Sequence, residues 1–154
     1  LSLQYAINDT ISLGVGGMYM TSDETIKDFI EAGDPFFNRN EYEISAQSVN
    51  LRGDFAIDGQ IMEDTYVFSA IISNQTVKVE NVFFNEIGKA EALLGTLLVG
   101  YHWMWEQFNI NLAGGINTAI SEKYSFENVT GVDDSDVDGI STGFALEFGM
   151  GIAF

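Results

Sequence analysis

The chain alternates large apolar residues with small or polar ones over most of its length. In 141–154, "STGFALEFGMGIAF", one set holds Thr142, Phe144, Leu146, Phe148, Met150, Ile152 and Phe154. The other holds Ser141, Gly143, Ala145, Glu147, Gly149, Gly151 and Ala153. Successive residues of a β-strand point to opposite faces, so this segment reads as a strand with one bulky apolar face and one small face. In 107–121, Phe108, Ile110, Leu112, Ile116 and Ile120 oppose Asn109, Asn111, Ala113, Gly115, Asn117 and Ser121. In 10–19, Ile11, Leu13, Val15 and Tyr19 oppose Ser12, Gly14 and Gly16. In 49–57, Val49, Leu51, Phe55 and Ile57 oppose Asn50, Arg52, Asp54 and Ala56. The opening sets Leu1, Leu3, Tyr5 and Ile7 against Ser2, Gln4 and Ala6. Stretches 65–73 and 95–105 carry apolar residues on both faces. For the second we place Leu97, Val99, Tyr101, Trp103 and Trp105 outward, and Thr96, Leu98, Gly100, His102 and Met104 inward.

The pattern predicts seven strands, over 1–7, 10–20, 42–57, 64–79, 89–105, 107–124 and 138–154. Short connections fall at 8–9, 58–64 and around Trp105–Gln107, and long ones at 21–41, about 79–88, and 122–138. Short and long alternate, and in an up-and-down antiparallel barrel alternate turns lie at the same end. All short turns then share one rim and all long loops the other, the asymmetry of outer-membrane barrels. Trp103, Trp105, Phe108 and Phe154 lie near the short-turn rim, where an aromatic girdle would sit at a membrane interface. In the first long connection, Ser22 or Asp23 could cap a short helix with Ile26, Phe29 and Ile30 on one face, ending at Gly33.

A water-soluble barrel buries its bulky side chains inside. Here the second face carries mainly Gly, Ala, Ser and Asn, which suit the narrow interior of a barrel of about eight strands. Composition agrees. The chain is 46% hydrophobic yet carries 23 Asp plus Glu against 6 Lys plus Arg, a formal charge of −17. Much of that acid lies in the long connections. Such a charge argues strongly against a nucleic-acid-binding role, which needs a basic face. The absence of cysteine excludes a disulfide scaffold and a thiolate metal site. No run approaches the ~18 apolar residues of a transmembrane helix. No signal peptide is visible, and the chain opens in strand pattern without Met, as a processed or incomplete chain would.

The C-terminal "EFGMGIAF" resembles the terminal recognition signal of bacterial outer-membrane barrels, through Glu147, Gly149, Ile152 and Phe154. The resemblance implies that the barrel-assembly machinery reads this strand during insertion. In size and layout the whole chain resembles the small eight-stranded barrels, such as the outer membrane protein A transmembrane domain and the opacity-type surface proteins. It implies one domain over 1–154: an all-β, antiparallel up-and-down transmembrane β-barrel in the bacterial outer membrane. Seven strands depart from the even count of that family. The expectation is a first strand missing before Leu1; an odd-stranded barrel and a strand supplied by a partner chain are the alternatives.

Inside such a barrel, Arg52, Asp54, His102 and Glu147 share the inward set. An isolated lumen charge is costly, so Arg52 should bridge Glu147 or Asp54 as a polar plug. A general acid/base pair of His102 with a carboxylate is the enzymatic alternative, as in the lipid-modifying outer-membrane enzymes the layout resembles. His102 lies near the short-turn end, and no serine motif marks a nucleophile, so the reading is of a non-enzyme. "DSDVDG" at 134–139 supplies Asp134, Asp136, Asp138 and Gly139 of a calcium loop, but the twelfth position is Ala145 instead of Glu. The result is a solvated acidic loop, or at most a weak divalent-cation (calcium) site, and no other cofactor is expected. The expected role is structural, anchoring or interacting at the cell surface, through long acidic external loops. Expected partners are outer-membrane lipid and lipopolysaccharide, and a protein at those loops. A narrow pore for small solutes is the rival, opposed by Met18, Ile71 and Leu98 on the inward set.

Overall fold

The computed structural model describes residues 2–21, 42–81, 83–127 and 142–152. They form seven strands: β1 (Ser2–Ala6), β2 (Ile11–Thr21), β3 (Tyr42–Asp58), β4 (Thr65–Asn81), β5 (Glu86–Trp105), β6 (Phe108–Glu127) and β7 (Gly143–Ile152). Each strand overlaps one of the segments expected from the alternation. Neighbours in sequence pair antiparallel throughout, giving a single meander in the order β1 to β7.

The sheet curls into a half-barrel, and one contact shows how sharply. Arg52 on β3 and Glu147 on β7 are four strands apart, a separation of about 19 Å across a flat sheet. Their side chains nevertheless meet at 2.5 Å. The face carrying both is therefore concave. Close backbone approach assists the curl at β5 and β6, where a Cβ on Gly115 would run into the Leu97 carbonyl.

The short connections are built as tight turns. The Asn8 side chain accepts the backbone N–H groups of Thr10 (2.9 Å) and Ile11 (2.8 Å), which reverses the chain from β1 into β2. Gly59, at φ 94°, supplies the left-handed residue after β3. In the same connection Ile61 folds back, donates its N–H to the Asp9 carbonyl at 2.6 Å, and is buried with Ala56 and Val67. This apolar cluster stands under the short-turn end of the concave face.

Two expectations need correction. The connection expected to be long over about 79–88 is a tight turn: Asn81 pairs with Glu86, and the strands run almost to its tip. The Asn81 side chain accepts the N–H groups of Phe83 (3.0 Å) and Phe84 (3.2 Å), and Asn85 takes φ 55°. The strict alternation of short and long connections therefore fails there. Secondly, β6 contains a bulge. Leu94 pairs with Ala119 and Leu93 with Ser121, which leaves Ile120 without a register partner. The bulge reverses the faces beyond it, so Ser121 does not share a face with Asn109 and Asn117 as unbroken alternation requires. The helix expected over 22–34, the acidic residues Asp134, Asp136 and Asp138, and Phe154 lie outside the described residues.

Candidate functional site

The concave face carries an ionic cluster centred on Arg52. Its planar guanidinium has five N–H donors in a rigid fork and can engage several acceptors at once. Nε donates to Asp54 Oδ1 at 2.7 Å. Nη1 donates to both carboxylate oxygens of Glu147, at 2.5 and 2.7 Å. Nη2 donates to Ser69 Oγ at 2.9 Å. Arg52 thus bridges Glu147 and Asp54 together, where the sequence left the choice open.

A second ring of side chains completes the carboxylates. Asp54 Oδ2 accepts from Gln4 Nε2 and from Ser12 Oγ at 3.4 Å. Glu147 Oε1 accepts from Asn111 Nδ2 at 2.5 Å. Asp54 is 4% exposed and Ser69 1% exposed, so the cluster sits where an unpaired charge would be heavily penalised. Among the described residues no buried side-chain N or O atom lacks a partner. Gln4, Ser12, Ser69 and Asn111 were not foreseen as members. Their small or amide side chains on the polar set were the available signal, but only the register and curl assign their contacts.

His102 does not join this cluster through a hydrogen bond. It lies instead beside the Ile61 backbone and the Asn109 side chain, at the short-turn end. The buried Ile61 cluster and Leu98, 2% exposed, add apolar bulk to the concave face around the ionic residues. Met18 and Ile71 also lie on this face, Met18 in a more open position. Among the described residues no group of three or more His, Cys, Asp or Glu could hold a metal ion.

The convex face has the opposite character. Partners in register share a face. One row across the sheet runs Ile11, Phe55, Phe68, Val99, Gly114 and Leu146. The next runs Tyr5, Leu13, Gly53, Ala70, Leu97, Ile116 and Phe144. Most of the large side chains in these rows are exposed, Phe144 and Leu146 at 76%. Toward the short turns the belt ends in linked aromatics. Tyr66 meets Tyr101 edge-on at 4.8 Å, Tyr101 meets Trp103 at 5.0 Å, and Trp105 stacks with Phe108 at 6.2 Å. Toward the other end the apolar rows give way to a row of Tyr19, Gln47, Thr76, Glu91 and Lys123.

Gly149 and Ile152 of the C-terminal motif lie on β7, paired with Asn111 and Phe108 respectively. Among the described residues, β1 and β7 each pair on one side only, so the half-barrel has two open edges. No protein-family model matches the chain, and no curated protein or solved structure matches it either.

Proposed function

We propose that this chain is a small outer-membrane β-barrel whose lumen is closed by side chains. Its role is structural, anchoring or interacting at the cell surface, carried by the acidic connections at the rim opposite the short turns. The observation that supports this most strongly is the convex belt. Rows of exposed Leu, Ile, Val and Phe cover one face of a sheet whose other face holds a partly buried ionic cluster. Water would penalise an apolar surface of this extent, and a bilayer would not. Eight to twelve residue steps per strand, at ~3.3 Å rise and a tilt of ~40°, give a belt about 20–30 Å tall, close to the ~25 Å band of membrane barrels. The linked aromatics at its lower border match an interfacial girdle.

In lipid an unpaired sheet edge is not tolerated, because its N–H and C=O groups have no water to bond. The reading therefore requires the β1 and β7 edges to be closed: by a further strand, from a longer form of this chain or from a partner, or by pairing with each other in an odd-stranded barrel. The Arg52 cluster and the bulk of Leu98 and Ile61 favour a closed lumen over a conducting one.

The test is heat-modifiability. The 154-residue chain, and the same chain carrying one additional N-terminal strand, are folded in detergent and run on a gel with and without boiling. Folded barrels migrate faster unboiled. The expected result is a shift for the strand-completed form. Absence of any shift in both forms, with the protein soluble without detergent, would overturn the membrane reading.

A further inference from the structure

Basic residues are scarce, 6 Lys plus Arg against 23 Asp plus Glu. Yet all the lysines among the described residues, Lys78, Lys89 and Lys123, stand together. They occupy the convex face of three adjacent strands, in the two register rows that border the apolar belt. Lys78 pairs directly with Lys89, and Lys123 pairs with Glu91. The charged groups of these rows are three lysines and the single carboxylate of Glu91. The following row, farther from the belt, contains Glu43, Glu80 and Glu127. Three lysines and one carboxylate thus stand in the two rows nearest the apolar surface, and further carboxylates lie one row beyond.

Like charges directly opposite on neighbouring strands destabilise a sheet, so the Lys78–Lys89 juxtaposition is unfavourable in itself. Lys78 contacts Glu80 at 2.7 Å and Lys89 contacts Glu91, but exposed pairs of this kind contribute little. Each ammonium has three donors and keeps some of them available. Lys123 reaches this face only because of the bulge at Ile120. With unbroken alternation from Asn117 it would point into the concave side. Instead Glu122 and Tyr124 take that side, hydrogen-bonded to each other at 3.0 Å. Bulges often re-aim a side chain in this way. Ile120 itself is exposed, and its Cδ1 lies 3.3 Å from where a Gly95 Cβ would stand. It therefore adds apolar surface directly beneath the lysines.

We propose that Lys78, Lys89 and Lys123 bind the phosphate groups of an anionic lipid whose chains lie against the belt beside Ile120. The proposal rests on the membrane reading and adds a specific lipid site to it. Long lysine stems lie along apolar surface while their heads reach the headgroup layer, and lysines near a membrane surface attract anionic lipid. The charge complementarity is local, since the chain as a whole is strongly acidic.

The test uses protein that has first shown a gel shift in zwitterionic detergent, in whichever chain form shifts. Retention of bisphosphorylated lipid A is compared with that of its dephosphorylated form by native mass spectrometry, with inorganic phosphate as competitor. The expected result is preferential retention of the phosphorylated lipid, weakened about fivefold for each lysine replaced in K78Q, K89Q and K123Q and preserved in the corresponding Lys→Arg variants. Should the combined glutamine variant fail to fold, K123Q alone must lower retention and E91Q must raise it. Equal retention of the two lipids, indifference to both substitutions, or full displacement by millimolar inorganic phosphate would overturn the lipid site. Failure of the wild-type chain to shift in any form, with the protein soluble without detergent, would instead overturn the membrane reading beneath it.

Discussion

Arg52 is the residue on which the interior depends. Its fork holds two carboxylates from β3 and β7, and its side chain is 20% exposed against 3% for Asp54 and 25% for Glu147. Removing one partner of a buried ion cluster costs more than the cluster itself contributes, because the remaining charges stay desolvated without compensation. Arg52→Gln is therefore expected to destabilise the folded protein by about 3 kcal/mol, the lower end of the range for such losses because two of the groups are partly solvated. The combined replacement of Arg52, Asp54 and Glu147 by Gln, Asn and Gln should lose less than the single change. Urea titration of the detergent-folded protein, followed by the boiled and unboiled gel bands, measures both. A combined variant weaker than Arg52→Gln would show that the cluster is net stabilising. The alternation along 49–57 and 141–154 was enough to put Arg52 and Glu147 on one face. The partners Gln4, Ser12, Ser69 and Asn111 were not legible, because which side chains meet across four strands depends on register and curl.

At the scale of elements, the strands were legible because most carry an apolar stripe of period two, and where 65–73 and 95–105 have apolar residues on both faces their length and neighbours still mark them as strands. The points of failure have local causes. Over 79–89 the mixed stretch "VENVFFNEIGK" interrupts the alternation and reads as a long connection, whereas Val79, Glu80 and Asn81 pair with Gly88, Ile87 and Glu86 across a hairpin closed by the Asn81 side chain. The bulge at Ile120 leaves no compositional mark, since Ile120 and Ser121 each look correct for the face assigned by simple counting. The register makes a sharp prediction about it. Ile120 is the one residue of β6 skipped between Ala119 and Ser121, so deleting it restores a regular ladder with both flanking registers intact. The deletion should leave a folded, heat-modifiable protein. Deleting Ile116, which pairs with Leu97 and Phe144 inside the regular ladder, should lower the folded fraction, because even if the bulge absorbs the deletion, residues 117–120 must exchange faces and Ile120 turns to the concave side. Equal gel shifts for the two deletions would show that the pairing of β6 is not specified as described.

For the whole molecule, the decisive quantity is the height of the apolar belt, since it converts a surface pattern into a claim about environment. A soluble partner covering the convex face would be indifferent to lipid chain length. A bilayer would not, because each Å of mismatch between belt and hydrocarbon core carries a cost. The belt also has chemically different borders: the aromatics Tyr101, Trp103, Trp105 and Phe108 on one side, and the lysine rows of β4 to β6 on the other. Fixed borders leave little room to slide along the membrane normal. Folding from urea into phosphatidylcholine vesicles should therefore be most efficient where the hydrocarbon core is about 25 Å thick, and should fall off in bilayers of about 30 Å or more. The fraction of unboiled, fast-migrating protein across a series of acyl-chain lengths gives the result directly. An optimum near the belt height would tie the exposed Leu, Ile, Val and Phe rows to lipid. A folded fraction independent of chain length would point to a protein partner as the cover of the convex face, and with it would fall both the outer-membrane assignment and the lysine site at its border.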